Sequence, residues 1–152
     1  MPLSINLKPG EKLIVNGVVI QNAHHQATKL LVHNEAALLR EKDIMAEEAA
    51  NTPARRIYFA AQCQYLFPEK SAFYLPLIHR FLREFSEAAP STIALVQKME
   101  QEVAGKQFYP ALKTAKALIA KEQEILNGFT GTGIRASTAR GQPGEDGGMG
   151  AA

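Results

Sequence analysis

Lys12-Leu13-Ile14-Val15-Asn16-Gly17-Val18-Val19-Ile20-Gln21 decides how the first part of this chain folds. Two β-branched runs flank Asn-Gly, the dipeptide that best accepts positive φ at both central positions of a two-residue hairpin. Ile14, Val15, Val18, Val19 and Ile20 suit a half-buried pleat. Working outward, Leu3, Ile5 and Leu7 alternate ahead of a Lys8-Pro9-Gly10-Glu11 turn. Beyond the loop Asn22-Ala23-His24-His25-Gln26, the runs Ala27 to Val32 and Ala36 to Leu39 read as strands. The expectation is α+β: a five-stranded antiparallel β module over residues 1–43, followed by helices.

Thr52-Pro53 is an N-cap and first-turn pair, opening a helix from Ala54 to Leu66 with Ile57, Tyr58, Ala61 and Tyr65 on one side. A second helical stretch, Ser71 to Ala88, places Phe73, Leu77, Phe81 and Phe85 at steps of four, with Pro76 expected to divide or restart it. Pro90-Ser91 begins a third, stopped by Gly105. A fourth is expected from Pro110 to Asn127, ending at Gly128, with Leu112, Ala115, Leu118, Ile119, Ile125 and Leu126 inward. An antiparallel helical module over 44–128 follows from this pattern. Residues 129–152 are rich in Gly, Ala, Ser and Thr and are expected to be a disordered tail.

Composition excludes several classes. No apolar run approaches the ~20 residues of a membrane span, and no signal-peptide core follows Met1, so a cytoplasmic protein is expected. Cys63 is the single cysteine, and no Cys/His spacing suits zinc, so neither metal nor other cofactor is expected. Adjacent His24 and His25 point in different directions and have no third ligand in view. No paired-carboxylate, triad or phosphate-loop spacing supports an enzyme. The net charge of +2 is too small to announce nucleic-acid binding by itself. No Phe, Tyr or Trp occurs before Tyr58, so the β module has no platform on which unstacked bases could stack.

The blocks Leu7-Lys8-Pro9-Gly10-Glu11-Lys12, Asn16-Gly17, Leu39-Arg40-Glu41-Lys42-Asp43-Ile44 and Thr52-Pro53-Ala54-Arg55-Arg56-Ile57-Tyr58-Phe59, in that order, resemble FlbT, the flagellum biosynthesis regulator family of alphaproteobacteria. The resemblance covers residues 1 to about 128. It implies a post-transcriptional repressor that associates with the 5′ untranslated region of flagellin mRNA and promotes its degradation, by way of host nucleases. It also implies a FlaF-type protein partner. A looser likeness is to carbon storage regulators of the CsrA type, five-stranded dimers that bind GGA-containing leaders. In that likeness Arg40 matches the RNA-binding arginine at the end of the last strand. A homodimer is left open. Where FlbT sequences often carry Gly-Asp-Arg-Arg, this chain has Ala23-His24-His25-Gln26, which lacks two fixed positive charges.

The candidate RNA-binding residues are therefore Arg40, Lys42, Arg55, Arg56, Lys8 and Lys12. Arg55 and Arg56 fall in the first turn of a helix, where the macrodipole disfavours cations. Phosphate contact or an ion pair between the modules is one reading, and pairing with Glu47 and Glu48 is the other. The alternative to RNA binding is a protein-interaction module whose helical half docks FlaF or flagellin and affects mRNA only indirectly.

Overall fold

The computed structural model describes residues 2–132. Its strands are β1 (Leu3–Leu7), β2 (Lys12–Val15), β3 (Val18–Gln21), β4 (Thr28–Val32) and β5 (Leu38–Arg40). All pairings are antiparallel, but the five strands divide into two sheets, β1-β4 and β3-β2-β5. Side-chain alternation explains the division. Leu13 joins Ile5 and Leu7 in a small core closed by Val15, Leu30, Val32 and Leu38, whereas Ile14 and Leu39 belong to the helical core. The three-stranded sheet is thus a middle layer, covered on one face by the β1-β4 pair and on the other by helices.

The hairpin turn has Asn16 at φ 51 and Gly17 at φ 84, as a two-residue loop requires. Gly17 is needed twice over. A Cβ there would lie 3.1 Å from the Phe67 ring, so the tip of the hairpin packs directly on the end of the first helix. Asn16 also exchanges bonds with Ala37, its N–H donating to the carbonyl (2.9 Å) and its Oδ1 accepting from the N–H (2.8 Å).

The helices are α1 (Pro53–Leu66), α2 (Ser71–Ala88), α3 (Ile93–Ala104) and α4 (Phe108–Thr132). Contacts far apart in sequence fix an antiparallel arrangement. Late α4 meets the start of α1 at Glu122 and Ala54, while early α4 meets late α1 at Tyr109 and Tyr65. His79 of α2 bonds Glu100 of α3, and Glu102 of α3 bonds Thr114 of α4. The core between them is formed by Ile57, Ala61, Ile78, Leu82, Val96, Met99, Ala111, Ala115 and Leu118, among others. Burial of several such side chains, at roughly 1.5–3 kcal/mol each, is the main source of stability.

Four details differ from the sequence expectations. Pro76 does not divide α2, because its ring lies on the exposed side and costs the helix one hydrogen bond without breaking the buried stripe. α4 starts at Phe108 rather than Pro110, which sits within the first turn where a missing N–H has no intrahelical partner to lose. Gly105 stops α3 as expected, but at φ −85, and the left-handed position falls on Lys106 at φ 59. Ile125 and Leu126 are exposed (38% and 47%), because α4 outruns both of its neighbours and continues through Gly128 to Thr132. From residue 133 onward, the expected disordered tail lies outside the described residues.

The connection after β5 is stitched to the helices. Gln62 accepts from the Met45 N–H (2.8 Å) and donates to its carbonyl (3.0 Å), Tyr58 donates to the Asp43 carbonyl (2.5 Å), and Lys116 pairs with Asp43. Burial, reinforced by Asp43, pushes the Tyr58 hydroxyl well above its ordinary range, so it stays a donor.

Candidate nucleic-acid interface

Four of the six candidate cations, Lys8, Lys12, Arg40 and Lys42, come together at one end of the β layers, opposite the hairpin turn. Antiparallel pairing does this: β1 ends at Leu7, β2 begins at Lys12, and β5 ends at Arg40, which lies across from Leu13. Two carboxylates organise the cluster. Glu11 Oε1 accepts from the Lys8 N–H (2.9 Å), and Glu41 Oε1 accepts from the Lys12 N–H (2.8 Å). The Lys8 N–H, aided by Arg40, holds the Glu11 carboxyl below its usual range.

Arg40 is not a free strand-end cation. Its side chain points toward the β1-β4 pair, and Nη2 donates to the Asn6 carbonyl (2.7 Å) and to Glu11 Oε2 (3.3 Å). It braces the two sheets. Nη1 and Nε have no protein partner among the described residues, so the outer side of the guanidinium still offers donors. Lys8, Lys12 and Lys42 are exposed and form no salt bridge among the described residues. Exposed ammonium groups around a half-open guanidinium can meet phosphate oxygens. No Phe, Tyr or Trp within residues 1–57 is available to stack a base beside them.

Arg55 and Arg56 lie elsewhere. The sheet meets α1 near Tyr65 and Phe67, about 15 Å along the helix axis from Arg55. Neither arginine pairs with Glu47 or Glu48, nor forms any salt bridge among the described residues. The group that meets the start of α1 is instead Glu122, buried in late α4, whose Oε2 accepts from the Ala54 N–H (3.0 Å). Thr52 Oγ1 accepts from the Arg55 N–H (3.2 Å) and completes the cap. Glu122 was not singled out from the sequence, although it continues the buried stripe of Ala111, Ala115 and Leu118. An acidic residue at an apolar-stripe position was the available signal. Arg56 lines a groove of about 300 Å³ with Pro53, Phe81, Glu84, Phe85 and Ala88.

Asn22 is the other residue that pattern reading missed. Its buried amide donates to the carbonyls of Leu7 (3.0 Å), Lys8 (3.2 Å) and Gln26 (3.0 Å), while Oδ1 accepts from the His24 N–H (3.0 Å) and the Thr28 hydroxyl (3.3 Å). It thereby shapes both the turn bearing Lys8 and the His24-His25 loop. His24 Nδ1 accepts from the Gln26 N–H (3.2 Å), a local turn contact. Among the described residues, no group of three or more His, Cys, Asp or Glu side chains could hold a metal ion, and no helix is long and apolar enough to cross a membrane.

Fold and site together define a small α+β protein with a two-sheet layer on an antiparallel helical bundle and a carboxylate-ordered cluster of cations at one sheet end. Residues 3–126 match the family described as flagellar protein FlbT, and the chain belongs to that family. It is 37% identical over 127 residues to the probable flagellum biosynthesis repressor protein FlbT of Rhodopseudomonas palustris (strain TIE-1), covering 84% of this chain and 99% of the relative. It is 36% identical over 138 residues to the flagellum biosynthesis repressor protein FlbT of Caulobacter vibrioides (strain ATCC 19089 / CIP 103742 / CB 15), covering 90% and 96%. The probable repressor FlbT 1 of Bradyrhizobium diazoefficiens is 32% identical over 136 residues, covering 90% and 92%. No solved structure matches the chain.

Proposed function

We propose that this chain is a non-enzymatic, cytoplasmic repressor of flagellum biosynthesis that acts after transcription. It associates with the 5′ untranslated region of flagellin mRNA and promotes degradation of the message by host nucleases. The names of its relatives support the repressor role. The observation that carries the RNA reading is the gathering of Lys8, Lys12, Arg40 and Lys42 at one sheet end, with the outer guanidinium donors of Arg40 unpartnered among the described residues. In this reading residues 1–43 hold the leader and residues 44–128 supply the frame, with Arg55 and Arg56 as a separate basic contact. The leader is gripped by phosphate, sugar and shape, so affinity falls steeply with salt.

A titration of purified protein with a flagellin leader RNA across salt concentrations tests this. Lys8→Ala, Lys12→Ala and Lys42→Ala together should weaken binding and flatten the salt dependence, since each lost phosphate contact lowers the slope by about one. Absence of leader binding at low salt, with flagellin mRNA lifetime still dependent on the protein, would overturn the reading.

A second reading rests on the helical half, which exposes Phe73 (65%) near the start of α2 and, at the other end of the bundle, the overhanging Ile125 and Leu126 of α4. There the protein docks a FlaF-type partner or flagellin and affects the message indirectly. Repeating the titration with and without FlaF separates the two. A leader complex formed by the chain alone favours direct binding.

A further inference from the structure

The two edges of the three-stranded sheet are treated differently by the rest of the molecule. Just ahead of β5 the Asn16 N–H donates to the Ala37 carbonyl, so Ile14 and Leu39 exchange ladder bonds and the backbone groups of Leu38 point outward. Both are taken by one hydroxyl: Tyr65 accepts from the Leu38 N–H (2.9 Å) and donates to the Leu38 carbonyl (3.0 Å). Just after β3 the Asn22 N–H donates to the Glu11 carbonyl, so by the same alternation Ile20 and Val18 bond β2, and the backbone groups of Val19 and Gln21 point outward. Among the described residues, no strand lies beside them.

The side chains of β3 are as unusual as its edge. Val18 (61%), Val19 (59%) and Ile20 (37%) are all exposed although they alternate between the two faces of the sheet. Exposed edges are ordinarily protected by charge, proline or a bulge. Here none is present, for no Asp, Glu, Lys or Arg occurs from Leu13 to Thr28, and β3 and its turn contain no proline.

We propose that β3 pairs antiparallel with β3 of a second copy of this chain. Neutrality identifies the occupant. A charged partner strand finds no complementary charge along this edge, whereas two copies of a chain with net charge +2 can approach each other where the surface carries no charge. An antiparallel edge is also self-complementary about a two-fold axis, the commonest symmetry of soluble oligomers. The register follows from which groups point outward. With Ile20 on the axis, Val19 of each copy faces Gln21 of the other, all four outward N–H and C=O groups of each copy are paired, and the exposed valines and isoleucines cover one another. This does not rest on the RNA reading.

Sedimentation equilibrium of the full chain over a range of concentrations should show a reversible monomer–dimer equilibrium. Val19→Pro removes only an outward-facing N–H, which edge strands tolerate, and should abolish the dimer while leaving helical circular dichroism intact. Val19→Lys, which introduces like charges across the axis, should do the same if the proline variant fails to fold. Ile20→Cys places two cysteines about 4.5 Å apart at a non-hydrogen-bonded pair, within disulfide reach, and should cross-link under mild oxidation. Val18→Cys should not, and neither should the natural chain, whose only cysteine, Cys63, is buried. A monomer at every concentration, a dimer indifferent to both Val19 variants, or cross-linking at position 18 in preference to 20 would overturn the proposal.

Discussion

Asn22 uses its side-chain amide on three carbonyls at once, and this makes it the least replaceable polar residue of the β layers. An aspartate of the same shape cannot donate, and it would set a carboxylate against those carbonyls. Asn22→Asp should therefore lower stability by about 2–4 kcal/mol in chemical denaturation, whereas the same change at exposed Asn34 should be nearly neutral. Glu11 sets a pH dependence. Its folded pKa is lowered, so its contribution is complete above the ordinary carboxylate range and is lost as pH falls through the lowered folded value. Glu11→Gln should be less stable than the natural chain at neutral pH, with the difference closing in acid, as followed by thermal midpoints along a pH series. The brace also bears on Arg40→Ala: loss of the Asn6 bond should cost about 1 kcal/mol, so leader binding by that variant has to be measured on the folded fraction.

At the scale of elements, what could be read from the sequence was whatever depends on near neighbours. Asn16-Gly17 and Thr52-Pro53 specify their turn and cap within a few residues, and both appear where expected. The division of five strands into two sheets was not legible, because it depends on Leu13 facing Ile5 and Leu7 while the next residue, Ile14, faces the helical core. The candidate cations could be named from the sequence but not placed, since Arg40 is committed to Asn6 and Arg55 sits at the end of α1 away from the sheet. Periodicity placed Ile125 and Leu126 inward, which would hold only for a helix with neighbours along its whole length, and both are exposed. α4 has 25 residues against 14 in α1 and 12 in α3. The end of α3 supplies a local prediction: Lys106 holds φ 59, a conformation glycine adopts without a steric penalty. Lys106→Gly should raise stability by about 0.5–1 kcal/mol, and a loss instead would mean that the lysine side chain makes up for its strained backbone.

The whole molecule is held together through the middle layer. Ile14 and Leu39 belong to the helical core, the neighbouring Leu13 belongs to the core between sheets, and Tyr65 ties late α1 to β5. Sheet and helices should accordingly unfold together, with coincident transitions by far-ultraviolet circular dichroism and tyrosine fluorescence. Ile14→Ala should shift both transitions equally and cost about 2–4 kcal/mol, while two separate transitions would show that the layers are independent domains. The Tyr65 hydroxyl has a consequence beyond stability. By occupying both outward groups of Leu38, it acts as a terminator, leaving the three-stranded sheet a single growth end. A sheet with two open ends can template an endless fibre from its own copies, whereas this one reaches a stop as soon as β3 is covered. Removing one phenolic oxygen, as in Tyr65→Phe, would reopen the second end and put the solubility of the chain, more than its fold, at risk.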